Sequence, residues 1–157
     1  MWHRGLSAKM EQAGVCGSAL AGFWSYLLGR RQVVTVDGVL SDFEYLQAGV
    51  PQGAIISPLL FSLYMNDISA SSESQINLFT DDTSLYVVHK SALSLSKQLQ
   101  EAIDGVAAWF RKWLLSVNSA KSAVMVFPSS RMQPVFANVH IEDAVLPFPP
   151  SSWACPK

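Results

Sequence analysis

Two adjacent carboxylates, Asp81 and Asp82, stand in the segment Leu78-Phe79-Thr80-Asp81-Asp82-Thr83-Ser84-Leu85. Hard oxygen ligands of this kind suit Mg²⁺, which is bound by one or two carboxylates together with substrate phosphates. The same pair also reads as a solvated turn, because Asp tolerates turn geometry. Apolar residues on both sides favour the first reading, since they would bury the arms of a hairpin and hold the acids on rigid strands. A second segment with chemical potential is the loop Ala48-Gly49-Val50-Pro51-Gln52-Gly53. Gly53 lets a backbone approach a ligand closely, and Gln52 offers both a donor and an acceptor. Taken alone, Pro51-Gln52-Gly53 is equally an ordinary strand-to-helix turn. The cysteines, Cys16 and Cys155, lie at opposite ends, and His3, His89 and His140 are scattered, so no zinc-site spacing exists.

The elements that must carry these residues follow from periodicity. Leu6 and Met10 predict a helix over Gly5 to Ala13. Leu20, Phe23, Trp24, Leu27 and Leu28 predict a second, buried helix from Ser18 to Leu28, closed by Gly29. The period then becomes two: Val33 to Val36 and Val39 to Leu46 flank Asp37-Gly38, a strong hairpin signal. Ser57-Pro58 predicts a helix start, with Ser57 as the cap and Pro58 first in the helix, running to about Ile68. Asp81 and Asp82 then sit at the tip of a second hairpin. From Ala92 to Val117, Leu99, Ile103, Val106, Phe110, Trp113 and Val117 recur at helical spacing as a core-facing stripe. That placement assigns Trp109 and Trp113 to packing rather than base stacking. Strands are expected over Lys121 to Phe127 and within Val139 to Leu146. Pro147 to Lys157 reads as an irregular proline-rich tail, leaving 1–146 as one domain. Helices and antiparallel hairpins in mixed order indicate an α+β fold.

Composition excludes several classes. Half of the 157 residues are hydrophobic and 15% are charged, which is incompatible with a disordered chain. No run reaches the ~18 unbroken apolar residues of a membrane span. No export signal is evident in the N-terminal sequence, so an intracellular location is expected. A net charge of -1 argues against a module that grips nucleic acid by charge alone. Arg30 and Arg31 are either solvated or contacts for a phosphate backbone.

Ala48 to Ile68, AGVPQGAIISPLLFSLYMNDI, resembles the motif B region of reverse transcriptases from non-LTR retrotransposons of the LINE type, jockey-like. LFTDDTSLY resembles motif C of that family, and WLLSVNSAKSAVMVF is similar to its motif D. WHRGLSAKMEQAGV and YLLGRRQVVTVDG also look like this family, so the resemblance runs from Trp2 to about Phe127. It implies an incomplete right-hand polymerase palm, a ferredoxin-like antiparallel sheet packed on helices. It also implies a two-metal, Mg²⁺-dependent nucleotidyl transfer with an RNA template, a DNA primer and deoxynucleoside triphosphates as partners. By that likeness Asp81 and Asp82 are metal-binding and catalytic. Pro51, Gln52 and Gly53 contact template and nucleotide, and Lys121 assists the leaving pyrophosphate.

This sequence departs from the family pattern in three respects. The family's motif A strand, with its own metal-binding aspartate, would precede Trp2, and nothing in the first forty residues replaces it. Thr80 stands where Ala is usual, and Ala54 where Ser is common. Two functional expectations from different classes therefore stand side by side. One is a fragment of an RNA-directed DNA polymerase. The other is a catalytically inactive remnant of a truncated retroelement, with at most weak nucleic-acid binding.

Overall fold

Helix α1 spans His3–Gln12 and helix α2 spans Gly17–Leu27, and in the computed structural model α2 packs on α1. The structure describes residues 1–127 and 137–148. Leu6 and Met10, at i and i+4, form the buried stripe of α1. In α2 only Leu27 is buried; Phe23 and Trp24 are half-covered and Leu28 is exposed. The expected buried helix is thus a half-exposed one, because its wide apolar face exceeds what α1 can cover. Gly29, at φ 66°, closes it as expected, in the left-handed conformation that glycine adopts without penalty.

The next ribbon is built from short pairs. β1 (Arg31–Gln32) pairs with β4 (Glu44–Tyr45), and β2 (Thr35–Val36) pairs with β3 (Val39–Leu40), both antiparallel. Asp37 (φ 51°) and Gly38 (φ 81°) join β2 to β3. Positive φ at both turn positions is what the Asp-Gly signal requires. Helix α3 spans Ser57–Met65. Here the expected cap fails: Ile56 is the N-cap residue, and Ser57 already lies in the first turn with its hydroxyl donated elsewhere.

A 3₁₀ turn (Ile68–Ser71) leads into β5 (Gln75–Phe79) and β6 (Asp82–Tyr86), which pair in register from Gln75 opposite Tyr86 to Phe79 opposite Asp82. Helix α4 spans Ala92–Lys112, shorter than its apolar stripe suggested, because Leu114 turns to φ 52°. The expected strand from Lys121 to Phe127 does not form. Ser119–Lys121 is a 3₁₀ turn, and among the described residues 122–127 pair with no strand, although the Val124 amide donates to the Pro147 carbonyl at 3.0 Å. The expected strand around Val139 to Leu146 is instead a small hairpin, β7 (His140–Ile141) with β8 (Ala144–Val145). Of the expected tail, 149–157 lie outside the described residues, as does Cys155; Cys16 is free and exposed.

Helices with separate two-stranded antiparallel sheets make this an α+β fold. The chain divides into two compact units. The first is Met1–Asn66 with Trp113–Leu115; the second takes the described residues of Asp67–Lys112 and from Ser116 onward.

In the first unit, Leu6, Met10, Leu27, Leu60 and Tyr64 are almost wholly buried. Each such side chain contributes about 1.5–3 kcal/mol relative to exposure. Tyr64 meets Trp113 edge-on at 5.9 Å, and its hydroxyl donates to the Trp113 carbonyl. Lys9, 4% exposed, donates to the Tyr64 carbonyl and sets its ammonium 4.0 Å from the Trp113 ring centroid. In the second unit, Ile103 and Ala107 of α4 pack with Val124, Val139, Ile141 and Leu146. Trp109 is buried, its indole N–H donating to Asp67 at 3.2 Å, so the aromatic pair Trp109 and Trp113 serves packing as expected. Among the described residues no helix is long and apolar enough to cross a membrane.

Candidate active-site segments

Asp81 and Asp82 occupy the tip of the β5–β6 hairpin, in the position the sequence indicated. Thr80 and Asp81 form the two-residue turn, and Asp82 is the first residue of β6, opposite Phe79. Thr80 adopts φ 52°. A β-branched residue there is strained, since Cβ crowds the neighbouring carbonyl in the left-handed region. Along β6 the exposure alternates: Thr83 and Leu85 are half-buried, whereas Asp82, Ser84 and Tyr86 are open. Asp82 thus lies on the solvent face of its strand, and Asp81 is exposed as well.

The expectation that buried apolar arms brace this tip is not met. Phe79 is 79% exposed and Leu78 41% exposed. The reason is topological: among the described residues β5 and β6 pair only with each other, and α4 and the 3₁₀ turn pack against them. Lys121 lies in the Ser119–Lys121 turn, exposed, not in a strand. Among the described residues no ion pair joins it to either aspartate.

Pro51, Gln52 and Gly53 belong to the first unit, Asp81, Asp82 and Lys121 to the second. The 48–53 loop is held from several sides. Trp2 forms a β-bridge with Ala48, and the Gly49 amide donates to the Met1 carbonyl at 2.7 Å. His3, 5% exposed, reaches the Gly49 carbonyl through Nε2 at 2.8 Å. A carbonyl oxygen only accepts, so Nε2 carries the proton. Ser57 donates its hydroxyl to the Pro51 carbonyl at 2.6 Å. Gly49 and Gly53 take φ of 91° and 79°, conformations open to glycine. Gln52 and Gly53 are exposed, and a Cβ on Gly53 would meet nothing within 4 Å. Beside them runs a groove of about 670 Å³ lined by Gly22, Phe23 and Tyr26 of α2 and by Gly53, Ala54 and Ile55.

Sequence reasoning missed His3 and Ser57 as anchors of this loop. Each looked ordinary: His3 as one of the scattered histidines, Ser57 as a helix cap. The signal that could have found Ser57 is its hydroxyl one position inside a helix whose preceding loop ends in Gly53.

The donor type at the hairpin fits a hard divalent cation. Among the described residues, however, no group of three His, Cys, Asp or Glu could hold a metal ion. The pair is a partial ligand set, of the kind that Mg²⁺ completes with substrate phosphates and water.

The chain thus presents a glycine-flanked Pro-Gln loop at a helix start and, after it, an acidic pair at a hairpin tip, in the order of the motif B and motif C likenesses. Residues 1–145 match the reverse transcriptase (RNA-dependent DNA polymerase) family, and the chain belongs to it. Among curated relatives, it is similar to the probable RNA-directed DNA polymerase from transposon BS of Drosophila melanogaster, 29% identical over 95% of this chain and 17% of that protein. The corresponding protein from transposon X-element of the same fly is 30% identical over 95% of this chain and 17% of its own length. The RNA-directed DNA polymerase from mobile element jockey of Drosophila funebris is 30% identical over 83% of this chain and 15% of its length. The chain thus spans about a sixth of these relatives. The likeness to jockey-like, non-LTR elements read from the motifs is borne out. No solved structure matches the chain.

Proposed function

We propose that the chain is the motif B to motif D portion of a reverse transcriptase palm, contributing part of the site for RNA-directed DNA synthesis. The reaction is template-directed nucleotidyl transfer: the primer 3′ oxygen forms a bond to the α-phosphorus of a deoxynucleoside triphosphate, and pyrophosphate leaves. Asp81 and Asp82 offer carboxylates for two Mg²⁺ ions, whose chemistry when bound is to neutralise charge on the transferring phosphoryl group. Pro51, Gln52 and Gly53 lie against the template and the incoming nucleotide, with the side-chain amide of Gln52 able to donate and accept. Lys121 supplies positive charge toward the pyrophosphate.

The observation that carries this reading is the display of Asp81 and Asp82, both exposed, at the tip of a registered hairpin, Asp81 in its turn and Asp82 first in β6. Exposed carboxylates of this kind are accessible to a hard cation such as Mg²⁺, which completes its ligand set with substrate phosphates and water. Primer extension tests it directly, with the 157-residue protein, an oligo(dT)-primed poly(rA) template, labelled dTTP and Mg²⁺. Incorporation by the wild type that vanishes in Asp81→Asn supports the reading. Folded wild-type protein that incorporates nothing at any Mg²⁺ concentration refutes catalysis by this chain and leaves the inactive remnant.

A further inference from the structure

The β1–β4 pair carries a surface that the proposed polymerase site does not use. Arg31 stands opposite Tyr45 in the register. Its guanidinium carbon lies 4.9 Å from the Phe43 ring centroid and 6.0 Å from that of Tyr45. Side chains alternate along a strand, so Glu44 of β4 falls on the face opposite to Tyr45, while Phe43 joins Tyr45 around the Arg31 guanidinium. Glu44 opposes Gln32, which leaves Arg31 as the charged side chain on the aromatic face. Both rings are open to solvent, Phe43 by 64% and Tyr45 by 62%.

This arrangement differs from a patch awaiting an apolar partner. The rings' neighbour is a planar cation, and the Glu44 carboxylate of the same strand, which would repel a phosphate, is turned to the opposite face. Exposed rings with an arginine beside them suit single-stranded nucleic acid, because every base has a π-face and stacking is tolerant of sequence. Arginine adds a planar donor fork matched to phosphate oxygens.

We infer that the Arg31–Phe43–Tyr45 face binds single-stranded nucleic acid, with bases stacked on the two rings and Arg31 turned to a backbone phosphate. The choice of a nucleic acid rests on the proposed polymerase reading. The contact itself requires neither Asp81, Asp82 nor a metal ion, so it is measured with EDTA present and without nucleotide. Any failure is thereby separable from a failure of catalysis.

The test is fluorescence anisotropy of labelled oligouridylate and oligothymidylate, each about a dozen nucleotides long to span a typical single-strand site, titrated with the 157-residue protein. Phe43→Ala and Tyr45→Ala each weaken binding about tenfold, the loss of one stacked base. Phe43→Trp retains binding. Arg31→Gln flattens the dependence of log affinity on log salt by about 0.7, one phosphate contact on a single strand. Lys90→Gln, which removes an exposed cation of the second unit, leaves the losses at Phe43 and Tyr45 unchanged. Binding of only one of the two oligonucleotides supports the site and reports a preference for that sugar and base together. Wild-type protein that binds neither, or alanine variants that bind like the wild type, overturn the inference. A dimer seen by sedimentation that both alanine variants abolish, with no oligonucleotide bound, overturns it in favour of a second copy of the chain.

Discussion

Gly105 and Gly22 both lie inside helices, yet Gly→Ala should act on them in opposite directions. A Cβ on Gly105 would overlap the backbone carbonyl oxygen of Ser71, in the 3₁₀ turn against which α4 packs. A Cβ on Gly22 would meet nothing within 4 Å. Helix propensity alone favours Ala over Gly by about 1 kcal/mol at either site. At Gly22 nothing opposes that gain, so Gly22→Ala stabilises the protein by about 1 kcal/mol. At Gly105 the obstacle is main chain, which cannot swing away as a flexible side chain can. Over-packing costs about 1–3 kcal/mol, and an overlap with backbone belongs at the upper end. Subtracting the propensity gain leaves Gly105→Ala destabilised by about 2 kcal/mol. Urea unfolding followed by far-UV circular dichroism reads both changes. Because the substitutions fall in different units, amide exchange assigns each change to its own segment. A Gly105→Ala protein more stable than wild type would refute the close approach of α4 to Ser71.

Thr80→Asn removes the branched Cβ from a left-handed turn position; it stabilises the β5–β6 hairpin by about 0.5–1 kcal/mol, seen as slower amide exchange in β5 and β6. Unchanged exchange would mean that the turn carries no strain. Lys9→Met removes a buried charge-assisted hydrogen bond to the Tyr64 carbonyl and a cation over the Trp113 ring. It costs about 2–3 kcal/mol, and a double-mutant cycle with Trp113→Leu yields a coupling of about 0.5–1 kcal/mol for the ring contact. A zero coupling sinks the cation–ring account. His3→Phe keeps the volume but removes the donor to the Gly49 carbonyl. The loop amides from Ala48 to Gly53 then exchange roughly fivefold faster, the equivalent of about 1 kcal/mol. Equal exchange in wild type and variant would show that the bridge of Trp2 with Ala48 holds the loop unaided.

The features legible in the sequence are those in which a few adjacent residues decide the local backbone. Asp37-Gly38 has its left-handed turn because the residues at those two positions tolerate it, whatever lies around them. Gly29 ends α2 on the same basis, and the acidic tip of β5–β6 is fixed by the apolar runs that flank it. The errors all involve a decision made elsewhere in the chain. Residues 122–127 have the composition of a strand, but a strand needs an edge to pair with, and among the described residues no strand pairs with them, the Val124 amide donating instead to the Pro147 carbonyl. Leu78 and Phe79 look like buried arms, yet among the described residues no third strand joins β5 and β6, and both side chains are exposed. The stripe of α4 promised a longer helix, but Leu114 breaks it at φ 52°, and Trp113 packs against Tyr64 within the first unit.

The candidate site divides along the same line. Asp81, Asp82 and the Pro51–Gly53 loop are visible as motifs because residue type and order carry them. Their support is not, because it comes from residues distant in sequence: His3 lies forty-six positions from the carbonyl it holds. Ser57 shows how the two levels compete. Its sequence context is that of a helix cap, where the hydroxyl would serve the amides of its own helix. The fold starts the helix at Ile56, frees that hydroxyl, and turns it back to the Pro51 carbonyl at 2.6 Å. Ser57→Ala therefore tests the loop rather than the helix. It leaves the helicity of α3 intact and raises exchange at Gln52 and Gly53; loss of α3 protection instead would show that the hydroxyl serves the helix after all.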